Sequence, residues 1–219
     1  MTFPSSVTVR ELPLFPLPNV VLFPGQPLPL HIFEFRYRMM VNTVLESDGR
    51  FGVVMFDPAD NSIASVGCCA EITNHHRLPD DRMKIMTFGQ QRFRVLNYVR
   101  ERPFRVGLVE WIEDQPSDQD LQPLAQQVDL LLRDVIHLTA KLMGQEPRIP
   151  ESIPDTPLEL SYWIAHNLHN AADEQQSLLE MLTTAERLER EAEILSSTRS
   201  SFAARVALKD AFPRDALQD

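Results

Sequence analysis

Three observations in the 219 residues predict an α+β fold, β-rich first and helical second. Short runs of β-forming residues, partly alternating polar and apolar, crowd the first 115 positions. Apolar stripes at helical spacing, with helix-start signals before them, fill the remainder. Charge and glycine divide at the same place. Residues 1–115 hold 12 Lys+Arg and 13 Asp+Glu, a net of −1, whereas residues 116–219 hold 9 and 18, a net of −9. Six of the seven glycines lie at or before Gly107. The polar stretch 113–120 therefore marks the expected boundary between a β-rich domain (1–115) and a helical bundle (116–219).

Strands are expected over 51–56, 65–73, 83–88, 91–99 and 104–112, with turns at Pro79-Asp80-Asp81 and Gly89-Gln90. One helix interrupts them over 34–47, with Tyr37, Val41, Val44 and Leu45 at helical spacing. Many short, closely connected strands suggest a small barrel or folded-over sheet. In the second half, Leu124, Val128, Leu131, Leu132, Val135, Leu138 and Leu142 form a helical stripe, with Asp120 as N-cap and Gly144 as the stop. Thr156-Pro157-Leu158-Glu159 reads as a capping box with proline at the first helical position. Asp173 is expected to cap a short helix through Leu182. A second capping box, Thr183 to Glu186, opens a long helix past Leu195, giving a small bundle.

Composition excludes several classes. A formal net charge of −10 does not suit a general nucleic-acid binder. Two cysteines cannot staple a secreted scaffold. No apolar run reaches the roughly 18 residues of a membrane helix. The stretch from Leu12 to Ile32 is broken by six prolines, and the N-terminus lacks a basic start before an apolar run. A cytoplasmic protein is expected.

No catalytic motif is present. The three lysines, Lys84, Lys141 and Lys209, sit in no P-loop context, and no G-x-G-x-x-G, G-x-S-x-G or H-E-x-x-H occurs. Cys68-Cys69 and His75-His76 are adjacent pairs, but neighbours on a strand face opposite ways, so at most half a zinc site could converge. One cysteine is expected in the core and the other is incidental. His166 and His169 share a helix face with no completing ligand. Glu186, Glu189, Glu191 and Glu193, interleaved with Arg187 and Arg190, read as an exposed salt-bridged surface. No catalytic residue, metal or cofactor is expected.

The segment from Glu11 to Phe33 is the most informative. Its prolines forbid a central strand along its whole length, and its alternation of Leu, Phe and Val with Pro makes stiff, extended pieces. Such a piece can wrap the barrel or present a rigid apolar surface to another polypeptide. Leu12-Pro-Leu-Phe-Pro-Leu-Pro18, Val21-Leu-Phe-Pro-Gly25, Pro29-Leu-His-Ile-Phe-Glu34 and Arg36-Tyr37 together resemble the N-terminal domain of the ATP-dependent protease Lon, a domain that also occurs alone and in cereblon. The resemblance continues at Val66-Gly67, at Gly89-Gln-Gln-Arg-Phe93, and in the helices at 158–165, 175–180 and 186–188.

The resemblance implies a PUA-like β-rich pseudobarrel with one helix, followed by a helical bundle, and a role in recognising protein substrates. Full-length Lon adds ATPase and Ser-Lys protease modules, and neither motif occurs within these residues. The expectation is a free-standing, non-catalytic binder of unfolded or degron-bearing polypeptides, with an ATP-dependent protease as a further candidate partner. Gly25, Glu34, Arg36, Arg92 and Phe93 are expected to be structural: a turn, a helix start and the closing of a strand pair. Peptide contact is assigned to Leu17, Pro18, Phe23 and Pro24, with Met83 and Met86 beside them. Methionine adapts to varied apolar partners, though these two could equally fill the core. Two rival readings fit the same residues. One is RNA binding through Arg92, Arg94, Arg100, Arg102 and Arg105 with interleaved aromatics. The other is an adaptor docking a protease or ligase through its acidic helical half.

Overall fold

The computed structural model describes residues 9–150 and 152–211. The reading of residues 1–8 as lacking a secretory leader falls outside them. Strands β1 (Val9–Pro18), β2 (Pro27–Ile32), β3 (Arg50–Asp57), β4 (Ser62–Arg77), β5 (Met83–Arg100) and β6 (Arg105–Ile112) form one sheet. Helix α1 (Phe35–Leu45) lies between β2 and β3, and α2 (Gln122–Met143), α3 (Pro157–His166), α4 (Ala172–Glu180) and α5 (Thr184–Ala211) follow the sheet. The order is β2-β5-β4-β3-β1-β6, and β6 pairs back onto β5. Strands β1, β3, β4, β5 and β6 thus close a ring, with β2 added to the first third of β5.

Closure depends on the length of β5. It is one strand of 18 residues, so Gly89-Gln90 is not the expected turn. Its first third pairs with β2, and from Arg92 onward it pairs with β6. Gly89 is needed mid-strand for space. A Cβ there would lie 2.0 Å from the Phe23 carbonyl oxygen. The Gly25 N–H donates to Gly89 O (2.8 Å), and the Gly89 N–H donates to Gln26 O (2.9 Å). A strand glycine of this kind marks close approach by another backbone.

The prolines of β1 are tolerated for a related reason. Residues 9–14 pair antiparallel with β6 and residues 14–18 pair parallel with β3. Only Leu14 has partners on both sides, so each proline sits where one side of the strand is unpaired. The segment is therefore part of the ring without being a central strand throughout.

Each ring strand sends residues inward: Leu12 and Leu14, Val54, Cys69, Phe93 and Val109 form one buried cluster. The Phe93 ring fits because β3 and β4 are bare beneath it. A Cβ on Gly52 would lie 2.5 Å from Phe93 Cζ, and one on Gly67 would lie 2.8 Å from the same atom. A second cluster covers another face of the sheet, joining Phe15, Phe51, Val53, Cys68, Met83 and Ile85 to Tyr37, Met40, Val41 and Val44 of α1. Both cysteines are core, one in each cluster, because both faces of β4 are covered there.

Arg92, next to Phe93, points the other way and is also buried, at 1% exposure. Its guanidinium donates to the carbonyls of Leu179 and Met181 (2.6 Å each) and to the carboxylate of Asp114. Asp114 also accepts from the Tyr162 hydroxyl (3.0 Å). Arg92 stands at the first register pair of β5 with β6, and its side chain also anchors the last turn of α4 to the sheet. Gln176 of α4 adds a bond from Nε2 to Val66 O (3.1 Å).

These contacts explain how the chain divides into compact units. One comprises 1–115 and 162–182, the other 116–161 and 183–219. Within the second unit, Arg199 pairs with Asp134 (3.2 Å) and Lys141 with Asp210 (2.7 Å). The contacts advance in the same direction along α2 and α5, so the two helices run parallel. Gly144 stops α2 with φ of 67°, and both capping boxes form: Thr156 Oγ1 accepts from Glu159 N (3.3 Å) and Thr183 Oγ1 from Glu186 N (3.2 Å). Asp120, two residues before α2 and one before its N-cap Leu121, instead receives the Gln122 N–H (3.0 Å), and Asp173 lies in the first turn of α4 rather than capping it.

The acidic run of α5 is not uniformly a surface. Glu186, Glu189 and Glu193 are exposed, but Arg187 and Glu191 are fully buried, because four-residue spacing puts them with Leu188 and Leu195 on the inward face. Neither Glu191 oxygen has a hydrogen-bond partner. Burial pushes its carboxyl up to about 9, against the opposing pull of Arg187.

Two outcomes follow from these buried groups. Arg92→Ala strands two carbonyls and a carboxylate, so urea denaturation should show a loss of about 3–5 kcal/mol. Arg92→Lys should recover less than half, since one ammonium cannot reproduce the planar fork. For Glu191, the folded state holds its proton to about pH 9, whereas an unfolded glutamate releases it near about pH 4.3. Stability is therefore full below that lower value and falls as pH rises toward 9. Glu191→Gln should raise Tm at pH 8 by at least about 3 °C, with the gap closing near pH 4, as thermal scans across pH would show.

Candidate functional site

In the sheet-bearing unit, several element ends meet around an open groove of about 1110 Å³. β1 contributes Leu17 and Pro18 at its end, β2 runs out through His31 to Phe33, α1 begins with Arg36 and Tyr37, and the β5–β6 turn contributes 101–105. The walls are apolar: Leu17, Phe33, Phe56, Ile63 and Phe104. Phe15 and Tyr37 pack in its floor with ring centroids 4.2 Å apart, and burial pushes the Tyr37 phenol up. The mouth is charged. Arg36 Nε donates to Glu34 Oε2 (2.9 Å), and its guanidinium lies 4.5 Å from the Tyr37 ring centre. Glu34 is the N-cap residue of α1, but its side chain makes no cap bond.

Phe33 is 63% exposed and Phe35 69%. Large aromatics left in water beside an apolar groove mark a surface suited to other apolar groups. Among the described residues, no group of three or more His, Cys, Asp or Glu could hold a metal ion. Burial also pushes the thiols of Cys68 and Cys69 up, the latter to about 11, so neither is an activated nucleophile.

The structure sorts the expected contact residues. Leu17 and Pro18 line the groove. Met86, 36% exposed, lines an adjoining hollow of about 430 Å³ with Pro29, Leu30 and His31. Pro24 is half-buried and lines neither. Phe23 and Met83 are buried at 0% and 1%, so neither offers a surface to a partner. Phe23 faces Tyr162 (6.2 Å between centroids), and Met83 alternates with Met86 on β5 and therefore faces the core. Phe33 and Phe104 were missed. For Phe33 a signal existed: Pro27, Pro29 and His31 are the outward positions of β2, and Phe33 continues that parity. Of the arginines after Arg92, Arg102 lines the groove and the other three engage their own neighbours. Arg94 lies 4.0 Å from Glu110, Arg100 covers Phe104, and Arg105 covers Tyr98.

The family model for the ATP-dependent protease La (LON) substrate-binding domain matches residues 11–197. Lon protease 2 of Myxococcus xanthus is 30% identical over 198 residues, covering 87% of this chain and 24% of that protein. Lon protease of Anaeromyxobacter dehalogenans is 29% identical over 196 residues, covering 86% and 23%. The chain thus spans about a quarter of the length of these relatives. Among solved structures, a Lon N-terminal domain protein from Xanthomonas campestris aligns with a TM-score of 0.61 at 27% identity, covering 83% of this chain and 96% of that one. The N-terminal domain of Mycobacterium avium complex Lon protease shares the fold, with a TM-score of 0.62 at 14% identity over 87% and 98% of the two chains. The match over residues 11–197, from the proline-rich β1 into the long α5, shows that this chain belongs to the LON substrate-binding domain family.

Proposed function

We propose that residues 11–197 recognise unfolded or degron-bearing polypeptides through the groove and carry out no catalysis themselves. The observation that supports this most is the groove itself. Its walls are apolar, and a highly exposed Phe33 stands at its rim. A polypeptide that exposes apolar side chains is its natural occupant, because burying them against Leu17, Phe33 and Phe56 removes two apolar surfaces from water together. Salt-bridged side chains at the mouth keep this surface soluble in the absence of a client.

The reading extends to partner and architecture. The relatives are Lon proteases, so the polypeptide bound here is proposed to pass to an ATP-dependent protease, in the cytoplasm. The closed strand ring with α1 fits a PUA-like pseudobarrel, and the parallel α2–α5 pair fits a helical bundle. A division at 115/116 is proposed with one qualification of its second part: residues 9–115 lie in one compact unit, and that unit also takes in 162–182.

Phe33→Asp tests the groove. The side chain is mostly in water, so Tm should stay within about 2 °C of the parent. Affinity for a reduced, carboxymethylated client protein should fall about tenfold by calorimetry, as expected on losing one well-placed aromatic anchor. Unchanged client affinity with unchanged stability would remove the groove from the reading.

A further inference from the structure

The hollow beside the groove has an order that polypeptide binding alone does not require. Three cross-strand rows lie side by side on the outward face of β2, β5 and β4. His31, Lys84 and His76 form the first row, Pro29, Met86 and Asn74 the second, and Pro27, Phe88 and Glu71 the third. Met86 and Phe88 are 36% and 38% exposed. Glu71 is already engaged by Arg50 (2.9 Å), and no carboxylate lines the hollow. A row of three nitrogen donors therefore flanks an apolar platform in a chain whose net charge is −10.

Successive rows are two residues apart along β5, or about 7 Å. Side chains at alternate positions of an extended peptide have the same spacing. We infer that this face reads an acidic side chain in an apolar client segment: two apolar residues over Phe88 and Met86, then Asp or Glu two positions on, against Lys84, His31 and His76. The inference rests on the polypeptide-binding reading and adds a charge preference to it. An internal side chain is the occupant, not a chain terminus or an added strand. Pro27 and Pro29 remove N–H donors from β2, which pairs on one side only, so strand addition there is impaired. A terminal carboxylate is usually caught by a nest of backbone N–H groups, whereas the groups offered here are side chains on sheet strands.

The test is calorimetry at 50 mM salt on the full chain. The probe is an unstructured 15-residue peptide, acetylated and amidated, with two leucines and one glutamate at alternate positions. Replacing that glutamate by glutamine should weaken binding at least threefold, and 0.5 M salt should erase the difference. Lys84→Glu should reverse the preference, favouring a lysine-bearing peptide; Lys84 is exposed, so thermal scans should match the parent. Equal binding of the glutamate and glutamine peptides would overturn the charge preference and leave polypeptide binding intact. Recovery of the loss by a free C-terminus in place of the glutamate would overturn the side-chain assignment. Failure of all the peptides to bind would overturn both readings together.

Discussion

The buried guanidinium of Arg92 is the contact on which the sheet-bearing unit depends. A cation withdrawn from water is stable only where its donors are met, and these are met by three groups distant in sequence. Two are carbonyls at the end of α4, where the helix leaves its acceptors unpaired and carries partial negative charge. The third is Asp114, which also receives the Tyr162 hydroxyl. One side chain thus fixes where the chain leaves the sheet at 114 and where it returns at 162–182.

Phe93 does the complementary work on the opposite face of the same strand. A ring of five strands leaves a narrow interior, and one aromatic fills it only where facing strands lack side chains. Gly52 and Gly67 supply that space, while Gly89 lets the 23–26 loop lie against β5. The motif Gly89-Gln-Gln-Arg92-Phe93 is therefore three separate constraints in five residues: a backbone approach, an outward anchor and an inward plug.

Much of this architecture is written locally and was legible. The capping boxes at Thr156 and Thr183, the glycine stop at 144 and the turn at Pro79-Asp80-Asp81 depend on neighbours a few residues away, and each forms as read. What failed was decided at long range. Gly89 looks like a turn because its real reason, the Phe23 carbonyl, is 66 residues away in sequence. Glu191 looks like part of a solvated charge run because its residue type points to the surface, whereas its helical spacing with Arg187, Leu188 and Leu195 carries it inward once α5 packs. Of the expected contact residues, Leu17, Pro18 and Met86 proved to line the groove or hollow. Phe23 and Met83 did not, because an apolar residue in an extended segment is inward or outward according to register, and register is fixed by pairing. Met83 and Met86 differ by three positions on β5, an odd number, so they could not both face outward on a regular strand.

The same pairing constrains how a client can be held. Prolines stand on β2, which pairs with β5 alone. Backbone-to-backbone recognition, which is indifferent to client sequence, is thus disfavoured at this edge. What the surface offers are side chains on a stiff frame: apolar walls at Leu17, Phe33 and Phe104, and the platform of Met86 and Phe88. Recognition of this kind responds to the spacing and chemistry of client side chains, and it costs little ordering entropy because the frame is already fixed. On the proposed reading, a flexible methionine at the centre of such a frame would broaden what apolar shapes are accepted, while the fixed row of nitrogen donors beside it would narrow what charge is.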